Sequence, residues 1–251
     1  VIKLILPALY RILVFFKLNR RTINYLSDKS FFSNNIHDFS SIIKDLLKDS
    51  KLIALDVGAQ GGFNSDNFFP QEYNLFFEDI LVEPIKSESV KFSKNKYVIN
   101  KGLWSKKEKK KLYVLENRLG SSSMFEPDEN NFDVHNIKDR DFNNYKVTRT
   151  LEVDCDTIHN ELTNFKIKNL DYLKIDTQGA ELEILKGLGN YQPLFIKVET
   201  HIFSMYKNVS GWNKVLDYLY DLNYIAIDWK PIGSHATRIP AEMDMMFIPN
   251  F

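Results

Sequence analysis

Short continuous apolar runs alternate along the chain with segments in which apolar residues recur every three or four positions. Runs of the first kind are typical of strands buried on both faces of a parallel sheet, and segments of the second kind are typical of amphipathic helices. The runs before residue 200 are Leu52–Asp56, Ile80–Glu83, Tyr97–Asn100, Leu170–Asp176 and Pro193–Glu199. Their alternation with helical segments predicts an α/β domain with a doubly wound, mostly parallel sheet.

Two further strands complete the predicted sheet. The pattern places them at Tyr224–Trp229 and Met243–Ile248, after an amphipathic helix whose apolar residues run from Trp212 to Leu222. The connection between these strands shows no helical periodicity, and this favours an antiparallel final strand. We therefore expect a seven-stranded, Rossmann-like sheet.

The alternation of strands and helices stops between Trp104 and Val153. Two short predicted strands, Lys111–Leu115 and Val147–Val153, flank a polar stretch rich in Asn and Asp. We interpret residues 104–153 as an inserted β-hairpin or loop over the ligand-binding edge of the sheet, and hence over any active site. The hydroxyls of the Gly120–Ser123 segment either contact a sugar there or belong to a flexible turn.

Residues 1–49 are predicted to form a helical segment that precedes one domain over residues 50–251. Its stretch Leu4–Phe16 is strongly apolar, but its 13 residues are too few for a membrane-spanning helix, which needs about 20. One interpretation is a helix that packs on the domain or on a partner subunit of a homo-oligomer. The other is a peripheral membrane anchor, with Lys17, Arg20 and Arg21 facing anionic headgroups at the inner face of the membrane.

Composition narrows the classes of function. The 251 residues include 33 Lys and Arg and 33 Asp and Glu, so the formal net charge is zero, and 44% of the residues are hydrophobic. These values exclude a disordered chain and argue against nucleic-acid binding, which needs excess positive charge. A single cysteine, Cys155, excludes an internal disulfide and a multi-cysteine zinc site and fits a cytoplasmic location. We predict no metal, and the abundance of Asn, Ile and Phe indicates a bacterial origin.

Glycines and acidic residues stand where the predicted strands end, at the edge where open α/β sheets bind ligands. The first strand runs into Asp56-Val57-Gly58-Ala59-Gln60-Gly61-Gly62, and the second ends at Glu83, 25 residues after Gly58. Glycines allow a ligand to approach the backbone, and a carboxylate at Glu83 can accept both hydroxyls of a ribose. The pattern predicts a nucleoside-containing cofactor; the alternative is an ordinary tight turn with a solvated Asp56.

The glycine spacing distinguishes among nucleoside cofactors. The order Gly-x-x-Gly-Gly differs from the Gly-x-Gly-x-x-Gly of dinucleotide-binding proteins, and the turn lacks the lysine of a phosphate-binding loop. Because the carboxylate of Asp56 would repel a pyrophosphate, the turn suits a cofactor with a cationic amine and no phosphate. S-adenosylmethionine is such a cofactor.

Taken together, these segments resemble the FkbM family of S-adenosylmethionine-dependent methyltransferases. The resemblance covers about residues 50–250 and is carried by four motifs: Leu-Asp-Val-Gly-Ala-x-x-Gly from Leu55, Val82-Glu83-Pro84, Lys-Ile-Asp-x-x-Gly-Ala-Glu from Lys174, and Ile196-x-Val198-Glu199-x-His201. It implies the seven-stranded methyltransferase sheet. It also implies O-methylation, since characterised members methylate hydroxyls of secondary metabolites or sugars and many relatives lie among surface-polysaccharide genes.

The resemblance also assigns cofactor contacts. It implies that Asp56 orders the methionine end of the cofactor, through backbone or water, and that Glu83 holds the ribose hydroxyls. Gly102 and Leu103 would border the adenine, and Asp176 would face the cofactor's amine and the acceptor. Close backbone approach is assigned to the turn residues Gly58, Ala59, Gln60 and Gly61.

An alcohol acceptor gains from a general base, and three candidates stand near the ends of the fourth and fifth strands: Asp176, Glu199 and His201. If the fifth strand continues, alternation places Glu199 and His201 on one face, where the carboxyl can orient the imidazole. The alternative is that Glu199 caps a following helix and His201 is a surface residue. Family members often have Glu at the position of Gln178, and the amide weakens any assignment of a base there.

We expect an O-methyltransferase that acts on a hydroxyl of a saccharide, glycolipid or related metabolite. His235 and Arg238, in the loop before the last strand, can contact this acceptor. One alternative is a cofactor-binding or interaction module without turnover, with Gln178 as a sign of lost activity. The other is a nicotinamide oxidoreductase on a similar fold, which the phosphate-repelling first turn disfavours.

Overall fold

Ten strands are present in the parts of the chain that the computed structural model describes, which are residues 43–48, 50–63, 69, 71–89, 97–131, 143–233 and 240–250. In chain order they are β1 (Leu52–Val57), β2 (Phe77–Val82), β3 (Tyr97–Ile99), β4 (Gly102–Leu103), β5 (Glu108–Val114), β6 (Arg149–Asp156), β7 (Tyr172–Ile175), β8 (Phe195–His201), β9 (Tyr224–Gly233) and β10 (Pro240–Pro249).

Seven of these strands form one sheet in the order β3-β2-β1-β7-β8-β10-β9. Neighbours from β3 to β8 are parallel, whereas β10 runs antiparallel to both β8 and β9. The predicted doubly wound sheet with an antiparallel last strand is therefore confirmed. Its strand order reverses between β1 and β7, and this reversal creates a crevice at their carboxyl ends.

Two faces of this sheet are buried, as the continuous apolar runs predict. Leu55, Leu173 and Ile196 occupy one face and belong to the main apolar core, which also contains the buried side of the helices. Strand alternation points Tyr172 to the opposite face, where it packs in an aromatic cluster with Phe63. The central strands are thus packed between two apolar layers.

Four α-helices join the strands in the described residues: α1 (Lys86–Ser89), α2 (Ile158–Asn164), α3 (Glu181–Lys186) and α4 (Trp212–Asp221). Helix α2 begins at the N-cap Thr157, whose side chain accepts a hydrogen bond from the Asn160 backbone N–H at 3.0 Å. Helix α4 buries Val215 and Leu219. None of the helices that can be described is both long and apolar enough to cross a bilayer.

The insertion between β3 and β7 contains a second sheet, in the order β4-β6-β5. Strands β5 and β6 pair antiparallel, so the predicted hairpin is present, but β5 begins at Glu108 and β6 continues to Asp156. Strand β4 was not predicted, because two residues are too few to form a recognisable pattern. This sheet contributes Leu112 and Val153 to the main core.

The chain separates into two units, residues 1–51 with residue 251, and residues 52–250. Within the first, residues 43–47 are helical. The apolar stretch Leu4–Phe16 and its basic flank lie outside the described residues, and both interpretations of them stay predictions.

Candidate active site

The glycine turn after β1 packs directly against the end of β7. Gly58 has φ +84°, and a Cβ at this position would lie 1.8 Å from the carbonyl oxygen of Asp176. Any side chain here would therefore separate the two central strand ends. The turn brings the backbone of β1 close to Asp176, the last residue of the predicted fourth strand.

The amides of this turn are used within the protein. The backbone N–H groups of Gly58 and Ala59 both donate to the carbonyl oxygen of Val82, at 3.2 and 3.1 Å. The Gln60 N–H donates to the carbonyl oxygen of Gly58 at 2.8 Å. A phosphate site needs several such N–H groups pointing at the ligand. The turn consequently permits close approach of a ligand without forming a cradle for a phosphate.

A cavity of about 620 Å³, partly open to solvent, lies at these strand ends. Six of the predicted cofactor residues line it: Gly58, Gln60, Glu83, Gly102, Leu103 and Asp176. Much of the remaining wall is apolar, from Val57, Val82, Ile85, Leu112, Leu119, Met124, Ala180 and Ile184.

Glu83 is the acidic residue on the β2 side of this cavity. It is almost fully buried, and its Oε1 accepts a hydrogen bond from the Ile85 backbone N–H at 2.7 Å. That bond fixes the orientation of the carboxylate beside the cavity. Lys101, which also lines the cavity, directs its ammonium to Glu161 Oε1 at 2.5 Å.

Asp56 lies in the sheet rather than at the cavity. Its side chain is 0% exposed, and its Oδ1 is 3.4 Å from Lys174 Nζ. Burial raises the pKa of Asp56 to about 6, against the opposing effect of Lys174. Of the other predicted turn contacts, Ala59 is buried and Gly61 is exposed, and both lie outside the cavity lining.

The insertion forms the roof of the cavity. A 3-10 helix, Glu116–Ser121, and the residues after it contribute Leu119, Gly120, Ser122 and Met124 to the lining. Gly120 packs on the glycine turn, since a Cβ there would lie 2.4 Å from Gln60 Oε1. The roof therefore contacts the β1 turn directly at this point.

Asp176, Gln178 and Glu199 form a polar cluster at the ends of β7 and β8. Gln178 Nε2 donates to Glu199 Oε1 at 2.9 Å and lies 3.3 Å from Asp176 Oδ1. Asp176 and Gln178 line the cavity, whereas Glu199 lies behind Gln178, outside the lining. Burial raises the pKa of Glu199 to about 9, and the negative charges of Asp176 and Glu242 act in the same direction. Burial and these charges both favour the protonated form of Glu199.

His201 is the last residue of β8 and is only 2% exposed. Its Nδ1 lies 3.5 Å from Glu242 Oε1. Its ring packs edge-on against the ring of Tyr206, with 5.7 Å between the ring centroids. The alternative in which Glu199 caps a helix and His201 is a surface residue is wrong, because β8 continues through both and points them to one face. His201 is not among the residues that line the cavity.

The remaining predicted contacts are those to an acceptor, in the loop before the last strand and in the Gly120–Ser123 segment. His235 and Arg238 lie outside the described residues. Ser123, in the predicted sugar-contacting segment, is buried and donates from Oγ to the Gln178 carbonyl oxygen at 2.6 Å. Within the ranges that the structure describes, no group of three or more His, Cys, Asp or Glu side chains is arranged to hold a metal ion.

Comparison with protein families agrees with this sheet and its glycine turn. The family model of the methyltransferase FkbM domain matches residues 56–226, more than half of the chain. The chain belongs to the FkbM methyltransferase family. A comparison with curated proteins finds no match. The FkbM match begins at Asp56 in β1 and ends in β9, so it includes the cavity and the polar cluster. The protein is a methyltransferase with the Rossmann-like sheet of that class.

Sequence reasoning missed part of the FkbM site. Thr177 lines the cavity next to Asp176, and its place directly after a strand could have indicated it. Leu119 and Met124 carried no such signal, because the roof is built by contacts between segments far apart in the chain. Ile85, two residues after Glu83, could have been found by the same strand-end rule.

Proposed function

We propose that this methyltransferase transfers the methyl group of S-adenosylmethionine to a hydroxyl of a saccharide, glycolipid or related metabolite. The observation that carries the proposal is that Glu83 and Asp176 border one cavity from two strand ends, beside a turn whose amides are used internally. Two carboxylates favour a cofactor with ribose hydroxyls and a cationic amine.

The residues of the cavity fit this cofactor. Glu83, with its orientation held by Ile85, would accept the ribose hydroxyls, and Asp176 would bind the α-amino group. Leu103 and Ile85 offer apolar contact to the adenine beside the small residue Gly102. When bound, the cofactor supplies an activated methyl group on a sulfonium, and the protein's main task is to align it with the acceptor.

A nicotinamide dinucleotide fits less well. Its pyrophosphate would meet a turn whose Gly58 and Ala59 amides already donate to Val82. Lys101, a basic residue of the lining, is engaged by Glu161. These residues therefore provide a phosphate with neither a set of available backbone N–H groups nor an available cation.

Asp176 is the residue proposed to accept the proton of the acceptor hydroxyl, since it is the carboxylate that borders the cavity from β7. Glu199 and His201, the other predicted candidates, lie outside the lining of the cavity. Neutral hydrogen-bonding groups at the cavity, on Gln60 and Ser122, suit an acceptor that carries several hydroxyls.

Transfer of labelled methyl from S-adenosylmethionine to a pool of bacterial glycans and glycolipids tests this function. We expect label in the acceptor fraction with the wild type and with Asp217→Asn, an exposed control on α4. Asp176→Asn should lose the transfer by at least about a hundredfold. Label that enters no hydroxyl-bearing acceptor, with the cofactor bound, would favour the alternative of a binding module without turnover, which the neutral Gln178 suggests.

We also propose that the protein works in the cytoplasm, with its N-terminal apolar stretch at the inner face of the membrane. The stretch Leu4–Phe16 followed by Lys17, Arg20 and Arg21 supports this. The full chain should co-sediment with vesicles of anionic lipid and less with neutral ones. Equal, negligible sedimentation together with a stable dimer in light scattering would favour the homo-oligomer instead.

A further inference from the structure

We propose that Gln178 is a positioning residue whose side-chain amide holds the carboxyl groups of Asp176 and Glu199 in one fixed arrangement. This inference rests on the proposed function, in which Asp176 binds the cofactor's amine. Asp176 and Gln178 border the cavity, and Glu199 lies behind them.

The side-chain amide of Gln178 bridges the two acids. Its Nε2 lies 2.9 Å from Glu199 Oε1 and 3.3 Å from Asp176 Oδ1. A primary amide has two N–H donors and no charge, so it can donate to both carboxyl groups at once. A carboxylate at this position could donate to neither.

Gln178 is itself held from two other segments. Its carbonyl oxygen accepts the Ser123 hydroxyl of the roof at 2.6 Å. The one proton of the Tyr206 hydroxyl can be donated either to Gln178 Oε1, at 3.1 Å, or to the nearer Ser121 carbonyl oxygen, at 2.6 Å. Gln178 has φ +59°, a left-handed conformation that few side chains adopt without such constraints. The amide is thus fixed before any ligand arrives.

The surroundings explain why a neutral group stands here. The pKa of Glu199 is raised by four neighbouring acids, Asp176, Glu242, Asp244 and Glu181. Arg118 opposes the rise in the pKa of Glu242. A negative charge at position 178 would be repelled by the ionised acids around it and could not donate a hydrogen bond to Glu199. The amide instead joins Asp176 and Glu199 by hydrogen bonds, so Asp176 keeps one orientation toward the cavity.

The test measures binding of S-adenosylmethionine by calorimetry at about pH 6 and about pH 8.5, on either side of neutral. Gln178→Ala should weaken the affinity about tenfold at both values, the cost of one lost hydrogen bond to a charged group. Gln178→Glu should bind weakly at the higher pH and recover at the lower one, because burial beside Asp176 and Glu242, which raises the pKa of Glu199, also raises that of a carboxyl at position 178, and the protonated acid can donate again. The matched controls are Gln192→Ala and Gln192→Glu, at an exposed position.

Gln178→Asn is a second variant that retains the amide and favours the left-handed backbone, but is too short for the bridge. It should fold, as judged by thermal denaturation without cofactor, and bind about as weakly as Gln178→Ala. If the wild type binds and the Gln178 variants match the Gln192 controls at both pH values, the positioning role is overturned. If the wild type itself does not bind, the proposed function fails instead.

Discussion

Lys174 Nζ lies 3.4 Å from Asp56 Oδ1, and the two residues face each other across β1 and β7 beneath the glycine turn. Both side chains are almost completely buried. A buried ion pair tolerates loss of both charges better than loss of one. This ion pair therefore contributes to the stability of the sheet at β1 and β7, the two strands whose ends border the cavity.

Loss of one partner of this pair should strongly destabilise the fold. Lys174→Met leaves Asp56 buried without its cation and should lower the free energy of unfolding by about 3–5 kcal/mol. The double variant Asp56→Asn, Lys174→Met should lose less than the single one. Urea denaturation measures both, and Lys214→Met on the exposed side of α4 serves as the control. An equal or larger loss in the double variant would contradict this account of the pair.

Glu199 should make stability depend on pH across the neutral range. Its pKa rises from 4.5 to about 9 in the folded protein, so the folded state holds this proton more tightly than the unfolded chain. Its contribution to the free energy of unfolding is then fully present below about pH 4.5 and is lost as the pH rises toward 9.

The variant Glu199→Gln removes this proton, and its unfolding free energy should fall less than that of the wild type between these pH values. The exposed substitution Glu152→Gln should leave the wild-type dependence unchanged. If the free energies of unfolding of Glu199→Gln and the wild type depend on pH in the same way, Glu199 does not bind the proton responsible for this dependence.

Gly58→Ala should disrupt both the turn and cofactor binding. The added Cβ meets the Asp176 carbonyl oxygen at 1.8 Å, and the backbone has φ +84°. We expect a loss of more than about 2 kcal/mol in thermal or urea denaturation, together with loss of binding. Gly211→Ala is the matched control, because φ there is −71° and the nearest atom is a side-chain oxygen at 3.2 Å. Similar behaviour of the two variants would refute the close approach of β1 to β7.

The sheet and part of the cavity could be predicted from the sequence because both follow from local rules. Apolar runs identify buried strands, and residues that follow parallel strands meet at one edge, so Glu83 and Asp176 could be placed together. Asp56 was assigned to the cofactor by its position in a motif. Its side chain points into the opposite layer, as alternation along β1 requires, and the predicted contact through backbone or water stays a prediction.

Other contacts depend on chain segments that approach only after folding. Ser123 and Tyr206 reach Gln178 from positions 55 and 28 residues away. The role of Gln178 depends on this approach, and in the sequence alone the residue differed from the family pattern by one neutral amide. The raised pKa of Glu199 likewise comes from burial, from Asp176 directly after β7, and from Glu242 and Asp244 on β10.

Calorimetric titration of the purified full chain with S-adenosylmethionine, and separately with NADH, tests the central claim most directly. The account predicts one binding site for S-adenosylmethionine and no measurable heat with NADH. Glu83→Gln should weaken the first about tenfold or more, because the ribose hydroxyls lose an ionised acceptor, whereas the exposed Glu152→Gln should not. Saturable binding of NADH without binding of S-adenosylmethionine would contradict it.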